Sequence, residues 1–370
     1  MENLKKGHID WLILLPVFTI MLFGLGFVYS ASSSHALASN ESDTFYFMKH
    51  LWKVLIGIVL IIVFAKIDYH IYRKFSKGLL FFSIILLVLV LFFGLNLKGA
   101  NRWISVFGLT IQPSEIAKFA MVIHFASMLA AKQGVIKDFY KGFLPFLIWL
   151  GMMCLLIAAQ PNFSTMMVVF AIGFAIMFVG NVNLLHLLTT GGIGVVFAGI
   201  FAISQPYRVK RFLAFMGEGS ADDSFQLNQS LIALGNGGVF GVGPGQSRQS
   251  DHFLPEPYGD FIFSIVGEEI GFIGLLFLLL IFGMVFWRGM LIAKKAPDNF
   301  GYFLSVGIII TFAFYVFVNA GVNSGILPTT GVPFPFLSYG GTATLIYSAA
   351  IGILLNVSAQ AGTYTVNEES

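Results

Sequence analysis

Ten apolar runs, parted by short polar stretches, decide what this chain can fold into; they lie near residues 10–30, 51–66, 79–95, 113–131, 142–158, 163–180, 185–204, 260–285, 302–320 and 342–358. About 20 helical residues cross a hydrocarbon core of roughly 30 Å, so each run is read as a membrane-crossing helix, although the second and fifth are short. The expected fold class is therefore an all-α polytopic membrane protein of about ten transmembrane helices, organised as a single domain over residues 1–370. Composition agrees, with 57% hydrophobic residues, 11% charged residues and 41 phenylalanines, far from the balance of a soluble domain. Lys5 and Lys6 precede the first run in the manner of a signal peptide, but the run is long enough to span, so an uncleaved first helix is expected.

Charge matters here through its placement. The net charge of +3 and the absence of any Lys or Arg block give no footing for nucleic acid. Ten spans put both termini on one side, together with Lys66, Arg73, Lys74, Lys77, Lys132, Lys137, Lys141, Arg288, Lys294 and Lys295. Lys49, Lys98, Arg102, Arg208, Lys210, Arg211 and Arg248 fall on the other side, four of them in one long connection. The positive-inside rule then makes both termini cytoplasmic. The single cysteine, Cys154, excludes an intrachain disulfide. His35, His50, His70, His124, His186 and His252 show no metal-site spacing, and no metal ligand is assigned.

Three extracytoplasmic segments stand out: 96–112, 205–259 and 321–341. The first carries Arg102-Trp103, a pairing suited to the interface. The second, between helices 7 and 8, is long enough to imply a role. The third holds Pro328, Pro333, Pro335 and Gly340-Gly341 and cannot be a regular helix. Irregular backbone at membrane depth survives only inside protein or along a wet cavity, so these segments are expected to roof an outward-opening cavity.

Acidic residues run from the second segment straight into the eighth helix. Asp260 follows Gly259 where an N-cap belongs. Glu268 and Glu269 come about 12 Å further along a continuing helix, Glu268 about 80° around from Asp260 and Glu269 on the opposite side. Carboxylates are expensive there, and they either line the cavity or bond a neighbouring helix. Pro113 suits a first helical turn, and Glu115 sits three residues before Lys118, so the two can touch. They form either a self-neutralising pair or a pair whose Lys118 also faces an anionic substrate group or Glu268. Arg208, Lys210 and Arg211 follow the seventh span, and an Arg fork suits a phosphate; interfacial anchoring is the plainer alternative. The glycine run 235–245 has no Walker lysine pattern, so no nucleotide site is read from it.

In combination these motifs resemble the SEDS family of bacterial membrane proteins, which includes FtsW, RodA and SpoVE. The carriers are Gly99-Ala100-Asn101-Arg102-Trp103, Gln112-Pro113-Ser114-Glu115, Gln229-Ser230-Leu231-Ile232-Ala233, Leu254-Pro255-Glu256, Asp260-Phe261-Ile262-Phe263, Gly267-Glu268-Glu269, Leu327-Pro328-Thr329 and Pro335-Phe336-Leu337-Ser338-Tyr339-Gly340-Gly341. The segment 243–249 is closer to the division paralogue FtsW than to the elongation paralogue RodA. The resemblance implies a peptidoglycan glycosyltransferase of cell division that polymerises lipid II, releases undecaprenyl diphosphate, and works with a class B penicillin-binding transpeptidase and divisome activator proteins. It implies Asp260 as the catalytic residue. Arg102, Glu115, Lys118, Arg208, Arg211, Glu256, Glu268 and Ser338 are the expected substrate contacts. Asn162 stands where the family often has an acid, Thr330 where division members often have Lys, and Tyr258-Gly259 where His-Thr is common, so no charged role is carried to Asn162 or Thr330. Charge on the leaving diphosphate calls for Arg102, Lys118, the Arg208 cluster or a divalent cation, Mg2+ or Mn2+. The alternatives are a lipid II flippase, a RodA-like polymerase of elongation, and a scaffold in which Asp260 is only a cap.

Overall fold

The computed structural model describes residues 9–97, 100–106, 109–252 and 254–364. Among them, nine helices are long and apolar enough to cross a membrane, and Phe163–Val179 is a shorter apolar helix, so every expected span is a helix. The helices are α1 (Trp11–Ala38), α2 (Phe45–Lys66), α3 (His70–Phe93), α4 (Pro113–Lys132), α5 (Leu144–Ala159), α6 (Phe163–Val179), α7 (Leu184–Ile203), α8 (Pro206–Phe215), α9 (Ala221–Gly237), α10 (Arg248–His252), α11 (Ile262–Lys294), α12 (Asn299–Asn323) and α13 (Thr342–Tyr364). Lys5, Lys6 and Lys98 lie outside the described residues.

Helices α4, α12 and α13 form the centre, with 72%, 67% and 78% of their most apolar stretches buried, whereas α7 is a rim helix with 6% buried. Lipid supplies no hydrophobic drive between helices, so close packing decides which ones pair. Helix α2 meets α13 where a Cβ on Gly57 would stand 2.6 Å from Ser348 Oγ, and one on Gly352 would stand 2.7 Å from Ile61 O. One face is tied across helix ends by Arg288 Nε to Asp10 Oδ2 at 2.7 Å, Tyr69 OH to Asp298 Oδ1 at 2.9 Å and Gln360 Nε2 to Asp68 Oδ1 at 3.1 Å.

The opposite face carries more regular structure than expected. Between α3 and α4 lie strands β1 (Leu95–Leu97), β2 (Ala100–Val106) and β3 (Leu109–Ile111), an antiparallel meander pairing Leu95 with Trp103 and Ile104 with Ile111. This small sheet adds to the all-α expectation. The long connection is not a loop but α8 to α10. Pro206 sits in the first turn of α8, and α9 buries Leu227, Ser230, Ala233 and Gly237 at helical spacing. Ser230 Oγ donates to Asn323 O at 2.8 Å and seats α9 on α12.

Helix α11 is the second departure, because it does not continue past the acidic pair. Gly271 has φ 68° and ψ −173°, which breaks the helix between residues 262–270 and 272–294. A break at that depth orphans backbone groups, and something must satisfy them. The glycine-rich stretch after α9 does so. Val242 N donates to Glu268 O and Gly243 N to Glu269 O, both at 3.0 Å, while Phe272 N donates to Gly238 O at 2.9 Å and Ile273 N to Val239 O at 3.2 Å. The two backbones touch: a Cβ on Gly241 would lie 2.2 Å from Glu269 O, and one on Gly271 2.3 Å from Gly241 N. The lack of a Cβ at Gly241 and Gly271 is what lets the two backbones come this close.

Candidate active site

Asp260 ends the turn that enters α11, but it is not the helix cap. Phe261 holds that place, without a side-chain cap bond. Instead, the main chain around Asp260 is clamped. Asp260 O accepts from Asn319 Nδ2 at 2.7 Å and Asn323 Nδ2 at 3.0 Å, and Asn323 Oδ1 in turn accepts from Ser264 N at 3.2 Å. From the segment before α13, Ser338 Oγ donates to Gly259 O at 2.8 Å, and Tyr339 N donates to Tyr258 O at 2.8 Å. The Asp260 carboxylate lies against Gly331, where a Cβ would be 3.3 Å from Oδ2. Asp260 is half-buried. Two of the segments expected to form a roof, 205–259 and 321–341, meet at this turn.

Arg102 stands on β2, in the first of the three segments. Its Nε donates to Gln160 O at 3.4 Å, and its Nη2 donates to Pro161 O. Burial lowers the proton affinity of the guanidinium; Tyr207 and Asp260 act in the opposite sense, and Arg211 and Arg208 act with burial. Arg102, Arg208, Arg211 and Asp260 therefore share one electrostatic neighbourhood. Within it, Arg211 is exposed. Arg208 is largely committed: Nη1 donates to Phe201 O at 2.7 Å, Nε donates to Tyr207 OH at 3.0 Å, and the guanidinium stands 4.1 Å from the Phe201 ring centroid. Cations beside cations, with one carboxylate within reach, make a setting that an anion would stabilise.

The other expected contacts lie elsewhere or act on the backbone. Lys118 Nζ pairs with Glu115 Oε2 at 2.7 Å, both nearly inaccessible, while Tyr315 OH donates to Glu115 Oε1 at 3.1 Å and the ammonium stands 3.6 Å from the Tyr315 ring centroid. Lys118 thus takes the self-neutralising alternative, and its partner is not Glu268. Glu268 does not face Asp260 along one helix, since Asp260 is outside the helix. Its carboxylate accepts from Asn236 Nδ2 at 3.1 Å, Ser247 Oγ at 2.5 Å and Gln249 N at 3.3 Å, which pins the glycine-rich stretch. Glu269 accepts from Ser30 Oγ of α1. Glu256 is exposed, with φ 50°, in the turn before Tyr258. Ser338 accepts from Phe334 N at 2.7 Å and holds Gly259, so its hydroxyl serves the clamp.

Asn319, Asn323 and Gly331 were missed from sequence. The signal was an i, i+4 pair of amides in an apolar helix, where polar side chains need partners. Among the described residues no three His, Cys, Asp or Glu side chains stand together as a metal site. The donors among these residues do not make a protein-only site for Mg2+ or Mn2+.

A family model described as cell cycle protein, FtsW/RodA/SpoVE, matches residues 10–363. The chain belongs to this family. Stage V sporulation protein E of Bacillus subtilis (strain 168) is a relative with 40% identity over 359 residues, covering 96% of this chain and 98% of the relative. A second FtsW/RodA/SpoVE relative, the probable peptidoglycan glycosyltransferase FtsW of Trichlorobacter lovleyi, is 40% identical over 368 residues, covering 97% and 96%. The fold is that of a chain in a peptidoglycan synthase complex solved for its coordination of polymerisation and crosslinking, with TM-score 0.79, 24% identity and coverage of 95% and 98%. The expected family and polytopic helical fold both hold.

Proposed function

We propose that this chain is a peptidoglycan glycosyltransferase that polymerises lipid II, with Asp260 as general base. The observation that carries the reading is a half-buried carboxylate, clamped through its backbone from two sides, in the same neighbourhood as Arg102, Arg208 and Arg211. The acceptor sugar hydroxyl attacks the anomeric carbon of the lipid-linked donor. A new glycosidic C–O bond forms, the bond to the diphosphate oxygen breaks, and the hydroxyl proton passes to the Asp260 carboxylate. Undecaprenyl diphosphate leaves with the bond electrons, and Arg102 and Arg211 offset its charge. The names of relatives support the reaction and favour a division-type over an elongation-type enzyme.

The same reading makes a class B penicillin-binding transpeptidase the partner, since a structural neighbour belongs to a synthase complex that couples polymerisation with crosslinking. Divisome activators belong to the proposal on the division assignment. The face bearing Arg73, Lys74, Lys77, Lys132, Lys137, Lys141, Arg288, Lys294 and Lys295 is assigned to the cytoplasm, with both termini, and the membrane to the bacterial inner membrane.

The test is lipid II polymerisation by purified protein in detergent, with and without the transpeptidase, comparing Asp260→Asn with wild type. A general base contributes about 100-fold to 10,000-fold, and a loss of that size is expected. Polymer made by Asp260→Asn at the wild-type rate would overturn the base assignment. No polymer from wild type, with lipid II crossing vesicle membranes, would favour the flippase.

A further inference from the structure

Lys53 lies two turns into α2, half-buried, and no carboxylate pairs with it among the described residues. Its Nζ stands 3.9 Å from the Tyr339 ring centroid, and a Cβ on Gly341 would be 4.0 Å away. Gly341 immediately precedes α13. The first N–H groups of a helix have no intrahelical partner, and that end carries the positive pole of the dipole. The ammonium therefore sits at a pole of its own sign.

His50 adds a second, independent observation. It lies three residues earlier on the same helix, 0% exposed, and neither ring nitrogen has a hydrogen-bond partner. Its ring centroid is 5.9 Å from that of Tyr339, so both side chains converge on one ring. Buried polar atoms are ordinarily satisfied, and an unpaired half-buried cation beside a helix N-terminus is the recurrent setting for a bound phosphate. Tyr339 also donates its N–H to Tyr258 O at 2.8 Å, which places this cluster next to the turn that carries Asp260.

We propose that Lys53, His50 and the N-terminus of α13 form a second phosphoryl-anion site, separate from the Arg102 cluster, which takes the diphosphate of a lipid-linked substrate. The choice of substrate rests on the polymerase reading: joining two lipid-linked sugars brings two diphosphates to one carboxylate, and one cation cluster serves each. The anion chemistry rests on the geometry alone.

The experiment uses the full chain in phosphatidylcholine nanodiscs, with or without phosphatidylglycerol. Acylation of Lys53 by an amine reagent is read by mass spectrometry, with farnesyl diphosphate or inorganic diphosphate as probe. Protection of Lys53 by either diphosphate in phosphatidylcholine is the expected result; protection by farnesyl diphosphate alone means the prenyl chain is also read. Lys53→Gln is expected to weaken farnesyl diphosphate binding by about tenfold or more, and Lys53→Arg to restore most of it. Protection by phosphatidylglycerol with no further effect of diphosphate would assign the cluster to a bilayer headgroup and overturn the proposal. Equal acylation with and without either diphosphate overturns it too, and needs no variant to fold. If wild type makes no polymer while diphosphate still protects Lys53, the polymerase reading fails and the anion site stands; polymerisation with Lys53 unprotected has the converse meaning.

Discussion

The glycine at the break in α11 offers the sharpest test of how this fold holds its broken helix. Gly271→Ala places a Cβ at φ 68° and ψ −173°, a region essentially reserved for glycine, at a cost of about 1–3 kcal/mol. The same Cβ would lie 2.3 Å from Gly241 N, 2.6 Å from Phe240 C and 2.6 Å from Val239 O, all backbone atoms that no rotamer change can move. The glycine-rich stretch must retreat, and the bonds closest to the clash, Phe272 N to Gly238 O and Ile273 N to Val239 O, are the first lost. At about 1 kcal/mol each, they bring the total to about 3–5 kcal/mol. The assay is reversible unfolding in mixed micelles followed by tryptophan fluorescence. Gly283→Ala, further along the same helix with nothing within 4 Å of its Cβ, is the control, expected to be neutral or stabilising by up to about 1 kcal/mol. Gly271→Ala within about 1 kcal/mol of wild type would refute the argument that this backbone contact holds the break.

Further outcomes follow from other contacts. Lys118→Met leaves the Glu115 carboxylate buried without its cation and should cost about 3–5 kcal/mol in the same unfolding assay; Glu115→Gln added to it should recover most of that loss. Glu268→Gln sets an amide N–H against at least one of three donors and should cost about 1–3 kcal/mol, with faster proteolysis between α9 and α10. Asp68 gives a pH signature: burial acts to raise its pKa, but hydrogen bonds from Gln360 and His70 and the His70 charge hold it below the usual value. A depressed folded pKa contributes stability that is present above about pH 4 and is lost as pH falls through the folded value. Asp68→Asn should therefore flatten the decline of Tm with acid below about pH 4.

Legibility in the sequence followed the range of the interaction. Spans are set by runs of apolar residues, so all ten were readable, as was the Glu115–Lys118 contact, which depends only on helical spacing. The break at Gly271 was not readable, because Gly283 and Gly289 lie in the same apolar run and keep the helix intact. What distinguishes Gly271 is contact with residues 239–241, fixed only when the chain folds back. The sheet between α3 and α4 escaped notice because its strands β1 and β3 are only 3 residues each. The long connection was misread as irregular because the inward residues of α9 include Ser230, Ala233 and Gly237, which give a weak hydrophobic stripe.

Asp260 illustrates why a site residue can be found in a sequence while its mechanics are not. A charge at the mouth of an apolar helix is conspicuous, but the groups that hold it bond to its backbone, and their own signal is diffuse: two amides in α12 and a serine in a proline-rich turn. That division of labour has a chemical consequence. Because Asn319, Asn323, Ser338 and Tyr339 grip the main-chain carbonyls of residues 258–260, replacing the Asp260 carboxylate leaves the restraint on its turn in place. An Asn there presents nearly the same shape at the same position with far less basicity, so a loss of polymerisation in Asp260→Asn reports on proton transfer. Asn319→Ala does the reverse, keeping the carboxylate while freeing one of its anchors. It should lower the rate without moving the pH at which activity half-disappears, whereas a change in the base itself shifts that pH.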